Sequence, residues 1–403
     1  MTDRPHLRDA LLRTFRLGPG RRWEEGEFNR LALEVFRYQE QANPVYSRFV
    51  RGRGLDPADL LDWQDIPPVP VRAFQEMPEN LVSPGPVEAV FRTSGTTRAG
   101  RRGEHRVRDL SLYRASLLAT ATWYLRPELD AAKGGAPPPR RAIRVLALLP
   151  SPEELSDSSL CHMAGVLLDK WDDGSGGFFA DANWSVRTDA WVRALIEASR
   201  GDTPVLVLAT AFSLLEWLDR HADPTLPPLP EGSLVMETGG YKGRIRSVAK
   251  GELYAAVESA IGVPLHRVVS EYGMTEMLSQ FYEAILREGA AGPRAEPAPA
   301  HANSGVDRIP APPRAFRGPP WVRTRVLDPV TLDDVPAGEP GLLCHMDLAN
   351  LDSVSAILTE DEGMVVPGGF RVLGRIQGTE PRGCSLAVEE LQTPGEADSG
   401  GVR

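Results

Sequence analysis

Short apolar runs that alternate with amphipathic stretches constrain this chain more than any other feature. Residues 143–149, 205–209, 233–237 and 265–269 are brief and rich in Val and Leu, as strands buried on both faces are. Between and after them, residues 153–170, 188–199, 212–221 and 243–260 carry apolar side chains at helical spacing. That order predicts an α/β fold: a mostly parallel sheet with right-handed crossovers, flanked by helices. It places the function at the carboxyl ends of the strands.

The flanking sequence completes the outline. Residues 1–75 read as a helical lead-in, with Phe28, Leu31, Val35 and Phe36 on one helix that Asn43-Pro44 stops. Residues 76–290 form the α/β core, and the Pro-rich stretch 64–88 at its entry reads as an extended connector over the surface. Residues 291–320 shift to Ala, Pro, Gly and Arg, a linker or loop. Residues 321–376 hold four strand candidates, 321–327, 341–346, 354–358 and 370–376, and read as a small β-rich subdomain. Residues 377–403 are a short carboxyl-terminal segment bearing Cys384.

Composition excludes several classes. A net charge of -10 over 403 residues argues against nucleic-acid partners, which need a basic surface to displace counterions from phosphate. No apolar run is long enough for a membrane span. Charges at Asp3, Arg4, Arg8 and Asp9 leave no room for a secretory leader, so a cytoplasmic address is expected. The three cysteines, Cys161, Cys344 and Cys384, form no CxxC pair, which argues for reduced thiols and against zinc.

Two segments carry chemistry. Thr93-Ser94-Gly95-Thr96-Thr97 follows a short apolar stretch and precedes Arg98, Arg101, Arg102, His105, Arg106 and Arg108. Hydroxyls, a permissive glycine and nearby guanidinium groups make a phosphate cradle; by itself the segment reads more readily as a solvated Ser/Thr turn with an arginine-rich face. Ser270-Glu271-Tyr272-Gly273-Met274-Thr275-Glu276 is placed between a strand and an expected helix. There a tyrosine ring can flank a purine, a threonine hydroxyl can meet phosphate and a glutamate can hold magnesium; the bland reading is an ordinary strand-to-helix turn.

Taken together and in this order, the two segments resemble the signatures of adenylate-forming enzymes. The Glu237-Thr238-Gly239-Gly240-Tyr241-Lys242-Gly243 run, and Asp347-Leu348 followed by Gly374-Arg375, add to the resemblance. Within that superfamily the chain is similar to the acyl-protein synthetases, the fatty acid-protein ligases known from bacterial bioluminescence operons. The segments IPPVPVRAF, FRTSGTT, ETGGYKGR, SEYGMTEMLSQFY, DLANLDSVSAILTEDEG and LGRIQGTEPRGCSLAVEEL carry it.

The resemblance implies an adenylate-forming large domain with a truncated carboxyl-terminal module. It implies ATP and Mg2+ as cofactors, with phosphates at Thr93, Ser94, Gly95, Thr96 and Thr97, and adenine near Gly239, Gly240, Tyr272 and Gly273. Thr275 would meet phosphate, Glu276 the metal, and Asp347 and Arg375 the ribose. A fatty or other carboxylic acid would become an acyl-adenylate and pass to Cys384 as a thioester, then to an acyl reductase partner. No lysine follows Lys250, so Lys242 or one of the arginines near Thr97 would answer the charge on the α-phosphate. The superfamily's glycine after the last threonine is Arg98 here, a residue that enters φ > 0 less cheaply. Two alternatives stand beside this reading: a ligase that loads coenzyme A or a carrier protein, as the similar phenylacetate-CoA ligases do, and a non-catalytic nucleotide-binding subunit of an acyl-processing complex. The acidic run at 360–363 reads as a solvated turn, and the histidines as structural.

Overall fold

A computed structural model of the chain describes residues 3–94, 101–129, 142–221, 226–239, 248–291 and 314–376, together with Leu391. The strands of the first half are β1 (Val69–Pro70), β2 (Ala89–Arg92), β3 (Glu104–Val107), β4 (Arg144–Leu148), β5 (Gly177–Phe178), β6 (Val205–Thr210) and β7 (Leu234–Thr238). Those of the second half are β8 (Val268–Tyr272), β9 (Phe281–Glu283), β10 (Phe316–Arg317), β11 (Val322–Leu327), β12 (Pro340–Asp347), β13 (Ala356–Val366) and β14 (Gly369–Arg375).

Twelve of these strands share one sheet. β5, β4, β6, β7 and β8 lie side by side in that order and are all parallel. Beyond β8 the path continues through β9, β10, β14, β13, β12 and β11 with antiparallel pairing, and β1 joins β13 in parallel. The strand candidates of residues 321–376 therefore belong to the same hydrogen-bonded sheet as the parallel strands. β2 and β3 form a separate antiparallel pair.

The uninterrupted apolar runs have a structural cause. Val145 and Ala147 of β4 face one core, while Leu146 and Leu148 face another. The period of two sends alternate side chains to opposite faces, and both faces are covered. The helices Leu110–Leu125 and Ser159–Trp171 pack on the first face, with the amino-terminal helices Arg4–Arg16 and Glu25–Ala42 in the same core. The helices Thr188–Ser199, Ala211–His221 and Lys250–Ile261 pack on the second.

Where structure and sequence reading differ, local chemistry accounts for it. The expected helix at 153–170 begins only at Ser159, because the Ser158 hydroxyl accepts the Cys161 N–H at 3.2 Å and caps it there. Asn43-Pro44 does stop a helix, but it also starts one: the Asn43 side chain accepts from the N–H groups of Val45 and Tyr46, and Pro44 opens the helix Pro44–Gly52. The 64–88 connector does not run over the surface. Val69 is fully buried where β1 meets Ile357 of β13, and Val71 N–H donates to the Leu358 carbonyl at 3.0 Å. Its prolines suit a two-residue strand because so few backbone donors are needed there. Among the described residues no helix is long and apolar enough to cross a membrane.

Candidate functional site

The carboxyl ends of the parallel strands surround a cavity of about 310 Å³. Three of the expected binding segments reach it. Ser94 lies just beyond β2, Thr238 and Gly239 end β7, and Gly273 to Thr275 follow β8; all line the same space. Gly239 sits at φ 75°, a left-handed conformation that glycine adopts at no steric cost. A Cβ on Gly273 would stand 2.4 Å from the Glu271 carboxyl, so a larger residue there would have to displace that side chain.

The turn after β8 leads to an antiparallel strand, not to the expected helix: Tyr272 pairs with Phe281 and Glu271 with Tyr282. A ring nitrogen of His105, on β3, fixes the turn by contacting the Thr275 carbonyl at 2.9 Å. Burial pushes the imidazole down to about 4, so at neutral pH this nitrogen carries the proton and donates it. His105 thus ties the hairpin bearing the phosphate-type segment to the turn bearing Thr275, 170 residues away.

Several of the expected residues have partners within the fold. The Thr93 hydroxyl accepts the Gly103 N–H at 2.9 Å, which closes the base of the loop. Arg102 donates to the Thr93 and Arg92 carbonyls and to Asp157, Arg106 pairs with Glu79 and Glu104, and Arg108 with Asp352. These arginines build the hairpin. Asp347 has no solvent exposure, and its carboxylate accepts from Leu278 N–H, Ser279 N–H, the Ser279 hydroxyl and Ala349 N–H at 2.8–3.0 Å. Both of its carboxylate oxygens accept from the backbone or from Ser279, and it braces the turn. Its carboxyl is raised to about 6 by burial and stays ionised at neutral pH.

A second carboxylate, Asp361, stands beside Tyr272 and Arg375. The acidic run at 360–363 is part of β13, not a solvated turn, and Asp361 accepts from the Tyr272 hydroxyl at 2.9 Å while standing 3.5 Å from the Arg375 guanidinium. Tyr272 itself does not line the cavity. Its ring packs against Phe281, Phe316, His345 and Phe370. Glu276 is buried at the end of the turn, where its backbone carbonyl accepts from Asn350. Among the described residues no three His, Cys, Asp or Glu side chains gather as a metal cage. A magnesium ion held by one carboxylate and substrate phosphates needs no such cage, and the oxygen donors of this turn suit that mode.

The cavity also contains groups that motif reading passed over. Arg92 lines it with its guanidinium bonded to Glu104 at 3.0 Å. Glu271 lines it as well, fully enclosed, with the Thr238 hydroxyl donating to its carboxyl; burial raises that carboxyl to about 7, and the neighbouring Glu237 adds to the rise. The Ser116, Ser279 and Asp347 side chains form a hydrogen-bond chain that starts at the Trp321 indole, passes the cavity wall at Ser279 and ends at the buried Asp347. Cys161 and Cys344 are buried, and burial pushes the Cys161 thiol up to about 11. Both are small core residues, as their apolar neighbours predict. Gly95, Thr96, Thr97, Arg98, Gly240, Lys242 and Cys384 lie outside the described residues.

Comparison with known proteins places the resemblance at the carboxyl-terminal part of the chain. Residues 310–393 match the family described as acyl-protein synthetase, LuxE. Over 82 residues the chain is 33% identical to a long-chain-fatty-acid--luciferin-component ligase of Vibrio harveyi and, over 82 residues, 37% identical to that of Aliivibrio fischeri. Each match covers 22% of the relative and under a fifth of this chain. Among solved structures, the open conformation of 2-hydroxyisobutyryl-CoA ligase, in complex with 2-HIB-AMP and CoA, aligns over 87% of this chain and 75% of its own, with a TM-score of 0.56 at 15% identity. The same ligase in its postadenylation state, in complex with 2-HIB-AMP, gives 0.55 at 14% identity over 86% and 68%. The chain has the fold of the adenylate-forming ligases.

Proposed function

We propose that this chain uses ATP to convert a carboxylic acid, a fatty acid by its resemblance, into an acyl-adenylate and then takes the acyl group onto Cys384. The observation that carries this reading is the single cavity in which Ser94, Thr238, Gly239, Gly273 and Thr275 meet from three separate parts of the chain. Its volume lies at the lower end of the ~300–1,000 Å³ typical of small-molecule sites. The fold and the match at residues 310–393 support it.

In this reading Ser94 and Thr275, with the hydroxyls and backbone of residues 95–97, hold the phosphates. Gly239 and Gly240 pass against the adenine. Asp361, positioned by Tyr272 and Arg375, replaces Asp347 as the acceptor for ribose hydroxyls. Glu276 would hold magnesium together with phosphate oxygens, and that ion neutralises charge on the phosphates when bound. A carboxylate oxygen of the acid attacks the α-phosphorus, the bond to the β-phosphate breaks, and pyrophosphate leaves. Arg92 and Lys242 stabilise the charge that develops, as fixed cations do in phosphoryl chemistry. The Cys384 thiolate then attacks the acyl carbon, AMP departs and a thioester remains. Arg382 beside it favours the thiolate, and reduced cytoplasm is where such a thiol persists. An acyl reductase consuming the thioester is the protein partner this chemistry calls for.

Acid-dependent ATP–pyrophosphate exchange tests the first step: exchange that needs the acid supports it, and exchange indifferent to the acid overturns it. For the second, radiolabelled acid with ATP is expected to label the protein in a hydroxylamine-sensitive way that Cys384→Ser abolishes. Label that survives this substitution, or that appears only on added coenzyme A, would remove Cys384 as acceptor.

A further inference from the structure

The cavity is walled from several strands, and strand order sets how far apart its walls stand. Thr238, Gly239, Glu271 and Gly273 to Thr275 line it at the ends of β7 and β8, whereas Trp184 follows β5, the outermost parallel strand; Ser158 to Met163 beyond β4 and Phe212 beyond β6 lie between. β5 stands three strand positions from β7, which at the usual inter-strand spacing is roughly 14 Å. The lining on that side holds the apolar Leu160, Met163, Phe212 and Trp184, with Ser158, Ser159 and Thr210 beside them.

Trp184 is held there against its backbone preference. It adopts φ 66°, a conformation costing a bulky residue on the order of 1–3 kcal/mol. The turn around it is fastened at several points. The Asp181 carboxylate accepts from the N–H groups of Asn183 and Ser185, the Asp181 carbonyl accepts Trp184 N–H at 2.8 Å, and Ala180 bridges Val186. Phe179, just before the turn, packs on Trp191, which packs on Trp217. A strained conformation that its surroundings over-determine, at the wall of a cavity, marks a side chain whose position matters.

We infer that Trp184 is the end stop of the space that receives the acid's tail, and that the acid therefore carries a compact apolar tail, short or medium aliphatic or aromatic. This rests on the adenylation reading above. An acid whose carboxylate meets the nucleotide near β7 and β8 extends along the carboxyl edge of the sheet toward β5, and there the indole blocks it. Chain length is set by a wall and not by a recognised group.

Wild type and Trp184→Gly are compared across straight-chain acids from propanoate to hexadecanoate, plus benzoate, by pyrophosphate exchange and by calorimetric binding of each acid. Glycine accepts the left-handed backbone, so the turn is retained, and Trp184→Phe supplies a smaller ring on the same turn. Wild type is expected to favour the compact acids. The glycine variant should shift preference toward longer ones by about tenfold in relative kcat/KM, with phenylalanine between. Unchanged length profiles in both variants, or hexadecanoate used by wild type as well as hexanoate, would overturn the end stop. Absence of exchange with every acid alongside length-dependent binding that Trp184→Gly relaxes sinks adenylation and keeps the end stop; absence of both exchange and binding sinks both.

Discussion

Glu271 concentrates what residue-level chemistry adds to the motif reading. Its carboxyl titrates near 4.5 when free and near 7 when enclosed beside Thr238 and Glu237. Between those values the folded chain keeps a proton that the unfolded chain has released. Stability therefore falls as pH rises through this window and levels off above it, by roughly 3 kcal/mol. His105 acts in the opposite sense, since it stays neutral in the fold down to about 4 and costs stability as pH drops below its ordinary 6.5. Glu271→Gln removes only the first effect. The difference between wild-type and variant urea midpoints should therefore change with pH between about 4 and 8, and a flat difference would contradict the buried-proton account. The sequence holds Glu271 within SEYGMTE but gives no sign of its enclosure, which depends on Thr238 of a different strand. That Ser94, Gly239, Gly273 and Thr275 would come together was legible, because loop glycines and hydroxyls stand out by residue type, and all four line one cavity. Arg92 and Trp184 carry no such mark.

Strands and turns decide which carboxylate faces outward. Asp347 closes β12 and turns inward onto the backbone of residues 278 and 279, whereas Asp361 sits midway along β13 beside Tyr272 and Arg375. The two are similar in a linear reading, because a DL or ED pair says nothing of the face it occupies; a one-residue change in register reverses it. Asp361→Asn is expected to raise KM for ATP about tenfold while leaving unfolding nearly unchanged. Asp347→Asn is expected to cost about 2–4 kcal/mol of stability, because a buried acceptor set is broken, with KM for ATP of the folded fraction unaltered. Urea unfolding beside steady-state kinetics separates the two, and a swapped outcome would restore Asp347 as the ribose ligand. Element positions in the parallel half were readable from periodicity: the expected 188–199 and 205–209 segments appear as Thr188–Ser199 and Val205–Thr210. The Leu265–Arg267 stretch is a 3-10 turn and not strand; its end beyond Pro264 gives the chain a corner that apolar spacing alone does not disclose.

Across the whole molecule, one sheet runs from the edge strand β5 to the antiparallel strand β11, and a single core collects side chains from the amino-terminal helices, the parallel strands and β11 to β13. Calorimetric unfolding is accordingly expected as one cooperative transition, with van't Hoff and calorimetric enthalpies in agreement; two resolved transitions would mean that the halves hold together separately. This continuity was hidden in the sequence because the joining strands, β9 and β10, are only three and two residues long. β8 is bonded to a parallel neighbour on one side and an antiparallel one on the other, so the turn leaving it stands on the seam where chain direction reverses. A molecule lodged against that turn meets the reversal itself, because residues 273–280 carry the chain from the parallel strand β8 to its antiparallel neighbour β9.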